Sequence, residues 1–346
     1  MSGTSLDGID VALIETDGRQ QVVSGPALTV AYPVAFRQRL RSVLRGIGPV
    51  AEVEKEVTLL HADAVEQFLR VRAETRLDVV GFHGHTILHR PAERQTWQIG
   101  DGALLARRLG IDVVADFRTA DVAAGGEGAP LAPLFHAALA APLLKPVAVL
   151  NIGGVANVTW IGQGNEILAF DTGPGNALID DWVHRHTGAA ADLGGALARA
   201  GRVSMLHVEQ FLASSFFDRP PPKSLDRDDF RDAVPVSLSS ADGAATLTEI
   251  TASAVSVAIR HFPTPPREWL VAGGGRRNPA LMEALHRCLG VAVGPVEAAG
   301  WDGDALEAQA FAYLAVRSIE GLPLSLPSTT GVPQPTCGGR LFKAPI

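Results

Sequence analysis

The hydrophobic pattern of the first part of the chain combines short apolar runs with one long amphipathic stretch. Apolar runs at 11–15 and 22–34 flank a polar break, which predicts a meander of strands joined by short turns. Residues 51–76 place apolar side chains at helical spacing, with charges on the opposite face. Short buried strands follow at 77–86 and 112–117, separated by a further helix. This succession predicts a mixed α/β domain.

A second α/β unit begins near residue 145, where apolar strands alternate with glycine turns. Residues 146–162 predict a strand, a glycine turn and a strand, and residues 166–176 a strand that ends in another glycine turn. Later helices surround one more strand at 268–275. We therefore predict two domains, residues 1–140 and 141–346, with a C-terminal tail that is able to pack back on the first.

Composition narrows the class of protein. The 346 residues are 47% hydrophobic and 19% charged, which is typical of a globular chain of two domains. The net charge is −7 and no Lys/Arg run occurs, so we expect no nucleic-acid partner. No apolar stretch reaches the roughly 18–20 residues of a membrane span, and no signal peptide is evident. The two cysteines, Cys288 and Cys337, form no CxxC pair, which argues against a disulfide scaffold or thiolate zinc site. We expect a cytoplasmic protein.

Three glycine turns carry the candidate chemistry. They lie at 2–8, 151–157 and 272–278, and each follows or joins apolar strands. Neither the Walker motif nor GxGxxG occurs, yet glycine lets successive backbone N–H groups surround phosphate oxygens. Asp7 and Asp10 could hold Mg²⁺ directly or through water. Each turn taken alone could simply connect two strands, since Asp-Gly is a common hairpin turn. Three such turns in this order favour a nucleotide site.

The chain resembles the anhydro-N-acetylmuramic acid kinase family. The order of its turns is that of the actin/sugar kinase/Hsp70 superfold, in which two RNase H-like α/β domains flank a central cleft. In that superfold one hairpin turn of each domain holds phosphates, and a later glycine turn meets the adenosine. The matching stretches cover nearly the whole chain: 1–15, 81–86, 97–118, 121–136, 150–159, 170–182, 221–224, 271–279 and 326–331.

The resemblance implies a reaction and a set of site residues. The family opens the anhydro bridge of 1,6-anhydro-N-acetylmuramic acid with water and phosphorylates O6 with ATP, and Asp171 matches its catalytic aspartate. ATP and Mg²⁺ are the implied cofactors, and a homodimer is common. The implied nucleotide-binding residues are Gly3, Thr4, Ser5, Leu6, Asp7, Gly8, Ile9, Asp10, Asn151, Gly153, Gly154, Gly273, Gly274, Gly275 and Asn278. The implied sugar-binding residues are His83, Thr86, Arg118, Gly173, Gly175, Asn176 and Glu307.

Some of these residues also allow a structural interpretation. Asp171 has the character of a turn-forming aspartate. Asp304 and Glu307 have the spacing of a capping box ahead of an apolar helix, which would give Glu307 a purely local role.

The chain departs from the family pattern at several positions. His85 replaces a glutamine found in many relatives, Glu127 replaces another, and Ala120 stands where some members use a sugar-binding arginine. The strand that precedes Met-Ser-Gly in the family is also absent before Met1. We therefore expect either a start farther upstream or a first turn that is anchored on one side only.

The residues also allow two other functions. His83, His85 and His89 lie within seven residues and could form half of a metallohydrolase site. A sugar- or nucleotide-binding regulator on the same superfold is the other, although no segment predicts a DNA-binding arm. The metallohydrolase would leave the three glycine turns unexplained.

Overall fold

The chain folds into two units, each with its own core. A computed structural model describes residues 1–3, 6–72, 76–164, 166–227, 229–230, 234 and 237–345. Unit 1 comprises Met1–Ala141 and Asp304–Ile346, and unit 2 comprises Pro142–Gly303. Among the described residues, no helix combines the length and the apolar character that crossing a membrane requires.

The elements alternate between strand and helix in both units, which agrees with the predicted α/β class. The first part of unit 1 contains β1 (Gly8–Thr16), β2 (Val22–Ala31), α1 (Val34–Ser42), α2 (Val50–Arg70), β3 (Val80–Gly81), β4 (His85–Arg90), β5 (Gln95–Ile99), α3 (Gly102–Leu109), β6 (Val113–Ala115), α4 (Thr119–Ala123) and α5 (Pro133–Leu139). Unit 2 contains β7 (Val147–Ile152), β8 (Val155–Ile161), β9 (Ile167–Pro174), α6 (Ala177–Thr187), α7 (Ala196–Ala200), α8 (Met205–Leu212), α9 (Ser215–Asp218), α10 (Ser240–Ala258), β10 (Glu268–Ala272), α11 (Pro279–Leu289) and β11 (Ala292–Pro295). The C-terminal segment adds α12 (Leu306–Ile319), α13 (Pro327–Thr330) and β12 (Arg340–Phe342).

The sheet of unit 2 has the order β11-β10-β7-β8-β9. Strands β7, β8 and β9 form an antiparallel meander, whereas β10 runs parallel to β7 and β11 runs parallel to β10. Buried side chains such as Leu150, Phe170 and Trp269 pack against α10 and α11. Because the five strands are mostly apolar and buried, the sheet is a rigid base for the turns at its edge.

The C-terminal segment belongs to unit 1, whereas the domain prediction places it with the second domain and only allows it to pack back. Strand β12 pairs antiparallel with β6, with Phe342 opposite Val113. A Cβ on Gly81 of β3 would lie 2.3 Å from the carbonyl oxygen of Phe311, so α12 lies directly against that strand. Long-range packing of this kind leaves no local signal in the sequence.

The first turn of the chain is held at both ends, which differs from the expectation of one-sided anchoring. Strand β1 pairs with β2 from Gly8 opposite Ala31 to Thr16 opposite Val22. On its other side, the Met1 ammonium donates to the Asp10 carbonyl at 2.8 Å, and the Asp10 N–H donates back to the Met1 carbonyl at 2.9 Å.

Helix α10 packs against α6 at a glycine. Gly243 of α10 leaves room for Trp182 of α6, since a Cβ at Gly243 would lie 2.0 Å from the indole Cζ2. The Trp182 indole N–H also donates to the Ser240 carbonyl at 2.8 Å. The glycine is therefore required by packing, although it lowers the helix propensity of α10.

We expect Gly243→Ala to lower the stability of the protein. The substitution gains about 1 kcal/mol of helix propensity, but overpacking against Trp182 costs about 1–3 kcal/mol and forces the helices apart. Thermal unfolding should show a lower midpoint. In a Trp182→Phe background, which removes the clashing ring atoms, the same change should cost less. Equal costs in both backgrounds would contradict this account.

Candidate active site

Three turns of unit 2 meet at one edge of its sheet. Strand β7 is parallel to β10, and β9 is antiparallel to β8, which is itself antiparallel to β7. The C-terminal ends of β7, β9 and β10 therefore lie at the same edge, where they lead into 151–154, 173–176 and 273–275. Ligands of open α/β sheets commonly bind at this edge.

The turns after β7 and β9 are joined by backbone hydrogen bonds. The Gly175 N–H donates to the Gly154 carbonyl at 2.9 Å, and the Asn176 N–H donates to the Gly153 carbonyl at 2.7 Å. The Asn176 side-chain Nδ2 donates to the Ile152 carbonyl at 3.1 Å. A Cβ on Gly175 would lie 2.4 Å from the Gly153 oxygen, so only glycine permits this approach.

The turn after β10 packs against the turns that follow β7 and β9. Gly273 has φ +73°, and a Cβ there would lie 2.5 Å from Asn151 Oδ1. A Cβ on Gly275 would lie 2.6 Å from the Ile152 Cβ, and one on Gly274 would lie 3.7 Å from Asn176 Nδ2. The structure thus brings together the predicted residues of both nucleotide turns of unit 2.

Two predicted residues of this edge have structural roles as well. Asn278 begins α11, and its Oδ1 accepts from the backbone N–H groups of Ala280 and Leu281 at 3.0 and 3.3 Å. Gly173 packs against α10, since a Cβ there would lie 2.8 Å from the Ala254 Cβ. Both residues support the site through the elements that they position.

Asp171 lies in a row of polar residues across three strands. It pairs with Asn157 of β8, and Asn157 pairs in turn with Asn151 of β7. Residues that pair across strands share one face of the sheet, so this face presents two amides and a carboxylate in one row. Asn157 is not among the residues predicted for the site, because its place between Asn151 and Asp171 depends on strand register.

A loop of unit 2 holds Asp171 in place. The Asp171 N–H donates to the Lys223 carbonyl at 2.9 Å. The Leu225 N–H donates to Asp171 Oδ2 at 2.8 Å, so the orientation of the carboxylate is set by a backbone group.

The first turn, in unit 1, divides into buried and exposed positions. The Leu6 and Ile9 side chains are 5% and 2% exposed and belong to the core, so they could meet a nucleotide only through backbone groups. The Leu6 N–H donates to the Gly3 carbonyl at 3.2 Å, whereas Asp7 is exposed. Thr4 and Ser5 lie outside the described residues.

Asp10 is half-buried beside this turn. Its Oδ1 accepts from the Thr29 hydroxyl at 2.7 Å. Burial raises the pKa of the Asp10 carboxyl, the Thr29 bond lowers it, and the charge of Asp7 raises it further. Gly8 must lack a side chain, since a Cβ would lie 2.5 Å from the Val30 oxygen.

His83 and Arg118 of unit 1 form a fixed pair. The His83 Nε2 accepts from Arg118 Nε at 3.1 Å and from Nη2 at 3.0 Å, while Nδ1 donates to the Gly84 carbonyl at 3.0 Å. A guanidinium only donates, which assigns the proton of His83 to Nδ1. Burial and the Arg118 charge hold the pKa of His83 well below its ordinary value, so the imidazole is neutral.

Arg118 is held by further contacts. Its Nη1 donates to the Gly128 carbonyl at 2.7 Å, and its guanidinium lies 5.7 Å from the Phe311 ring centroid. Desolvation raises the pKa of Glu307, and Arg118 opposes that shift. Thr86 accepts from Gln98 Nε2 at 3.3 Å.

The capping-box alternative for Glu307 is wrong. Helix α12 begins after Ala305, a residue without a side-chain cap bond, and not after Asp304. Glu307 is therefore the second residue of the helix, whereas a capping box places its glutamate at the third.

The three histidines near β4 do not form a metal site. His83 bonds Arg118, His85 Nδ1 lies 3.0 Å from the Ser2 hydroxyl, and His89 lies between Thr96 Oγ1 and the Glu127 carbonyl at 3.0 and 2.9 Å. In the part of the chain that the structure describes, no group of three His, Cys, Asp or Glu residues could hold a metal ion. The metallohydrolase alternative is therefore not supported.

A cavity of about 240 Å³ in unit 1 adjoins His83. Trp97, Gln98 and Thr119 also line it, and Trp97 is 41% exposed. Trp97 is not among the residues predicted for the site, because its exposure at this cavity depends on the tertiary structure.

Comparisons with known proteins agree over the whole chain. A family model described as anhydro-N-acetylmuramic acid kinase matches residues 1–344. A curated relative of that name from Paramagnetospirillum magneticum is 59% identical and covers 98% of this chain and 97% of its own. Another from Rhodospirillum rubrum is 57% identical, covering 99% and 93%.

Among solved structures, a ROK family glucokinase from Streptomyces griseus in complex with glucose and AMPPNP aligns with a TM-score of 0.43 at 15% identity. It covers 90% of this chain and 97% of its own. The match of the family model to nearly every residue and the high identity of the curated relatives are decisive. This chain belongs to the anhydro-N-acetylmuramic acid kinase family.

Proposed function

We propose that this protein uses ATP to phosphorylate O6 of 1,6-anhydro-N-acetylmuramic acid while water opens the anhydro bridge. The products are N-acetylmuramic acid 6-phosphate and ADP, and the reaction serves the recycling of cell-wall peptidoglycan. The observation that carries the proposal is family membership over residues 1–344.

Asp171 is the proposed general base. It takes a proton from water, the resulting hydroxide attacks C1, and the C1–O6 bond breaks. The electron pair of that bond remains on O6, which attacks the γ-phosphorus as ADP leaves. Glycoside hydrolysis ordinarily needs a second carboxyl group to protonate the leaving oxygen. Phosphorylation replaces that proton here, so one base suffices.

The glycine turns of unit 2 are the proposed nucleotide site. Their backbone groups crowd one sheet edge around Asn151, Gly175 and Gly273, where close approach to phosphate oxygens needs no side chain. Asn157 adds an amide to the same row as Asp171.

Mg²⁺ fits the residues of the first turn. Asp7 and Asp10 are near enough that the charge of Asp7 raises the pKa of Asp10, and Mg²⁺ takes one or two carboxylates and several waters in kinase sites. When bound, the ion neutralises charge on the transferring phosphoryl group. The residues would hold it directly or through water.

The proposed sugar-binding site includes the fixed pair of His83 and Arg118 in unit 1. Arg118 makes its bonds to His83 and Gly128 with three of its five N–H groups. The remaining donors suit the hydroxyl, amide or carboxylate oxygens of an N-acetylmuramic acid, and Glu307 supplies an acceptor. We also propose a cytoplasmic location and a homodimer, on the family resemblance alone.

Product analysis tests the proposed reaction directly. The protein is incubated with the anhydro sugar, ATP and Mg²⁺ in ¹⁸O water, and the products are analysed by mass spectrometry. We expect ADP and a sugar phosphate that carries one ¹⁸O at C1 and none in the phosphate. Unlabelled product, or ADP formed equally without sugar, would overturn the proposal. Authentic product incubated without enzyme corrects for exchange at C1.

We expect Asp171→Asn to lower kcat by a factor of about 10² or more, the usual contribution of a positioned base. The amide keeps an oxygen for the Leu225 N–H but cannot take a proton. ATP affinity, measured by calorimetry, should change by less than about threefold. Asp181→Asn is the matched control, since Asp181 makes a surface ion pair with Arg227 at 2.8 Å. Turnover above a tenth of wild type would remove Asp171 as the base.

Arg118→Lys should raise KM for the sugar about tenfold or more and leave ATP affinity unchanged. A lysine is a point donor and cannot reproduce the paired bonds to His83 together with the bond to Gly128. Steady-state kinetics with each substrate varied in turn measure the effect. Arg108→Lys, which alters an exposed ion pair with Glu66 at 2.9 Å, is the control. An unchanged sugar KM in Arg118→Lys would exclude Arg118 from the sugar site.

A further inference from the structure

Lys223 is an almost completely buried cation with a defined set of partners. Only 3% of the surface of Lys223 is exposed to solvent. The ammonium donates to the Phe216 carbonyl at 3.0 Å and to the Phe217 carbonyl at 3.3 Å, both in α9. A buried charge is costly unless it is bonded, so these carbonyls hold the lysine in place.

Two aromatic rings complete the environment of the ammonium. Lys223 Nζ lies 4.6 Å from the ring centroid of Phe216 and 5.7 Å from that of Phe170. Phe170 directly precedes Asp171 in β9 and is fully buried. Cation–π attraction grows when the cation is desolvated, so Lys223 links α9 to the strand that carries the proposed base.

The backbone of the same residue meets Asp171. The Lys223 carbonyl accepts from the Asp171 N–H at 2.9 Å. Two residues later, the Leu225 N–H donates to Asp171 Oδ2 at 2.8 Å. The 223–225 segment therefore contacts both the main chain and the carboxylate of Asp171, and the bonds of the Lys223 ammonium join that segment to α9.

We propose that Lys223 is a positioning residue that sets the orientation of the Asp171 carboxylate through the 223–225 segment. The proposal rests on the proposed role of Asp171 as the base. Proton transfer depends on geometry, and a misplacement of about 1 Å can cost about 10²-fold in rate. Lys223 acts through Leu225 and needs no contact with substrate.

The groups around Lys223 make its charge sensitive to pH. Its ammonium faces Arg260, Arg219, Asp218 and His261, whose Nε2 lies 3.4 Å from Nζ. Burial, together with the two arginines, lowers the pKa of Lys223 to about 8. The side chain is thus charged below pH 8 and becomes neutral above it, which weakens its hold on the carbonyls and rings. The pKa of His261 is lowered by burial and by Lys223, so this imidazole does not titrate near pH 8.

The principal test compares Lys223→Met with Arg219→Met. Methionine keeps the length and apolar character of the stem and removes the ammonium. We expect kcat to fall by about 10- to 100-fold, with the sugar KM and the ATP Kd within about threefold of wild type. Arg219 is exposed and its guanidinium lies 5.8 Å from the Phe216 ring centroid, so its variant removes a cation from the same helix end and should remain near wild type. Equal kcat values for the two variants would overturn the proposal.

A double-mutant cycle separates positioning from a general structural role. In an Asp171→Asn background, Lys223→Met should cause less than about a threefold further loss, since there is no base left to orient. A further loss as large as in the wild-type background would show that Lys223 acts independently of Asp171. If the wild-type protein forms no sugar-dependent ADP, the proposed function itself is wrong. That result is distinct from failure of the Lys223 proposal, in which the wild type is active and the two variants have equal kcat.

The pH profile provides a second readout, on Lys223→Arg. We expect the wild-type kcat to decline above about pH 8 and the arginine variant, which stays charged, to lose that decline while retaining more activity than Lys223→Met. A decline identical in both would contradict the role of the charge. Thermal unfolding checks that each variant is folded. If Lys223→Met is not folded, Lys223→Gln replaces it in every comparison.

Discussion

The close approach of the turns after β7 and β9 is the contact on which the site of unit 2 depends. Two backbone hydrogen bonds, Gly175 to Gly154 and Asn176 to Gly153, join the turns at 2.9 and 2.7 Å. They form only because no Cβ separates the chains at Gly175. The parallel pairing of β10 with β7 then brings Gly273 to the same edge. Strand register and small residues together place the polar groups of the site.

Both units use buried polar groups whose protonation is determined by their neighbours. In unit 1, burial and the Arg118 charge lower the pKa of His83 and keep it neutral, and the Arg118 guanidinium fixes its proton on Nδ1. In unit 2 a buried lysine is satisfied by carbonyls and aromatic rings and holds the segment that contacts Asp171. Such networks are costly when a partner is lost, so they also make the geometry of a site rigid.

Much of the fold could be predicted because its signals are local. The glycine turns, the amphipathic helix that became α2 and the strand leading to Asp171 follow from periodicity and turn chemistry within short windows. Other features depend on distant contacts. Helix α12 begins after Ala305 and not after Asp304. The segment after residue 304, which the prediction allows to pack back on the first domain, joins unit 1 because α12 and β12 pack against β3 and β6.

The sequence by itself determined to which family the chain belongs and predicted a set of candidate site residues, because short motifs are readable directly as strings of residue types. Only the tertiary structure decided that Leu6 and Ile9 face the core, that Asn157 stands between Asn151 and Asp171, and that Lys223 holds the loop beside Asp171. The physical reason is that strand register and the burial of a charge arise from contacts between residues far apart in the chain. No local pattern of side chains encodes such contacts.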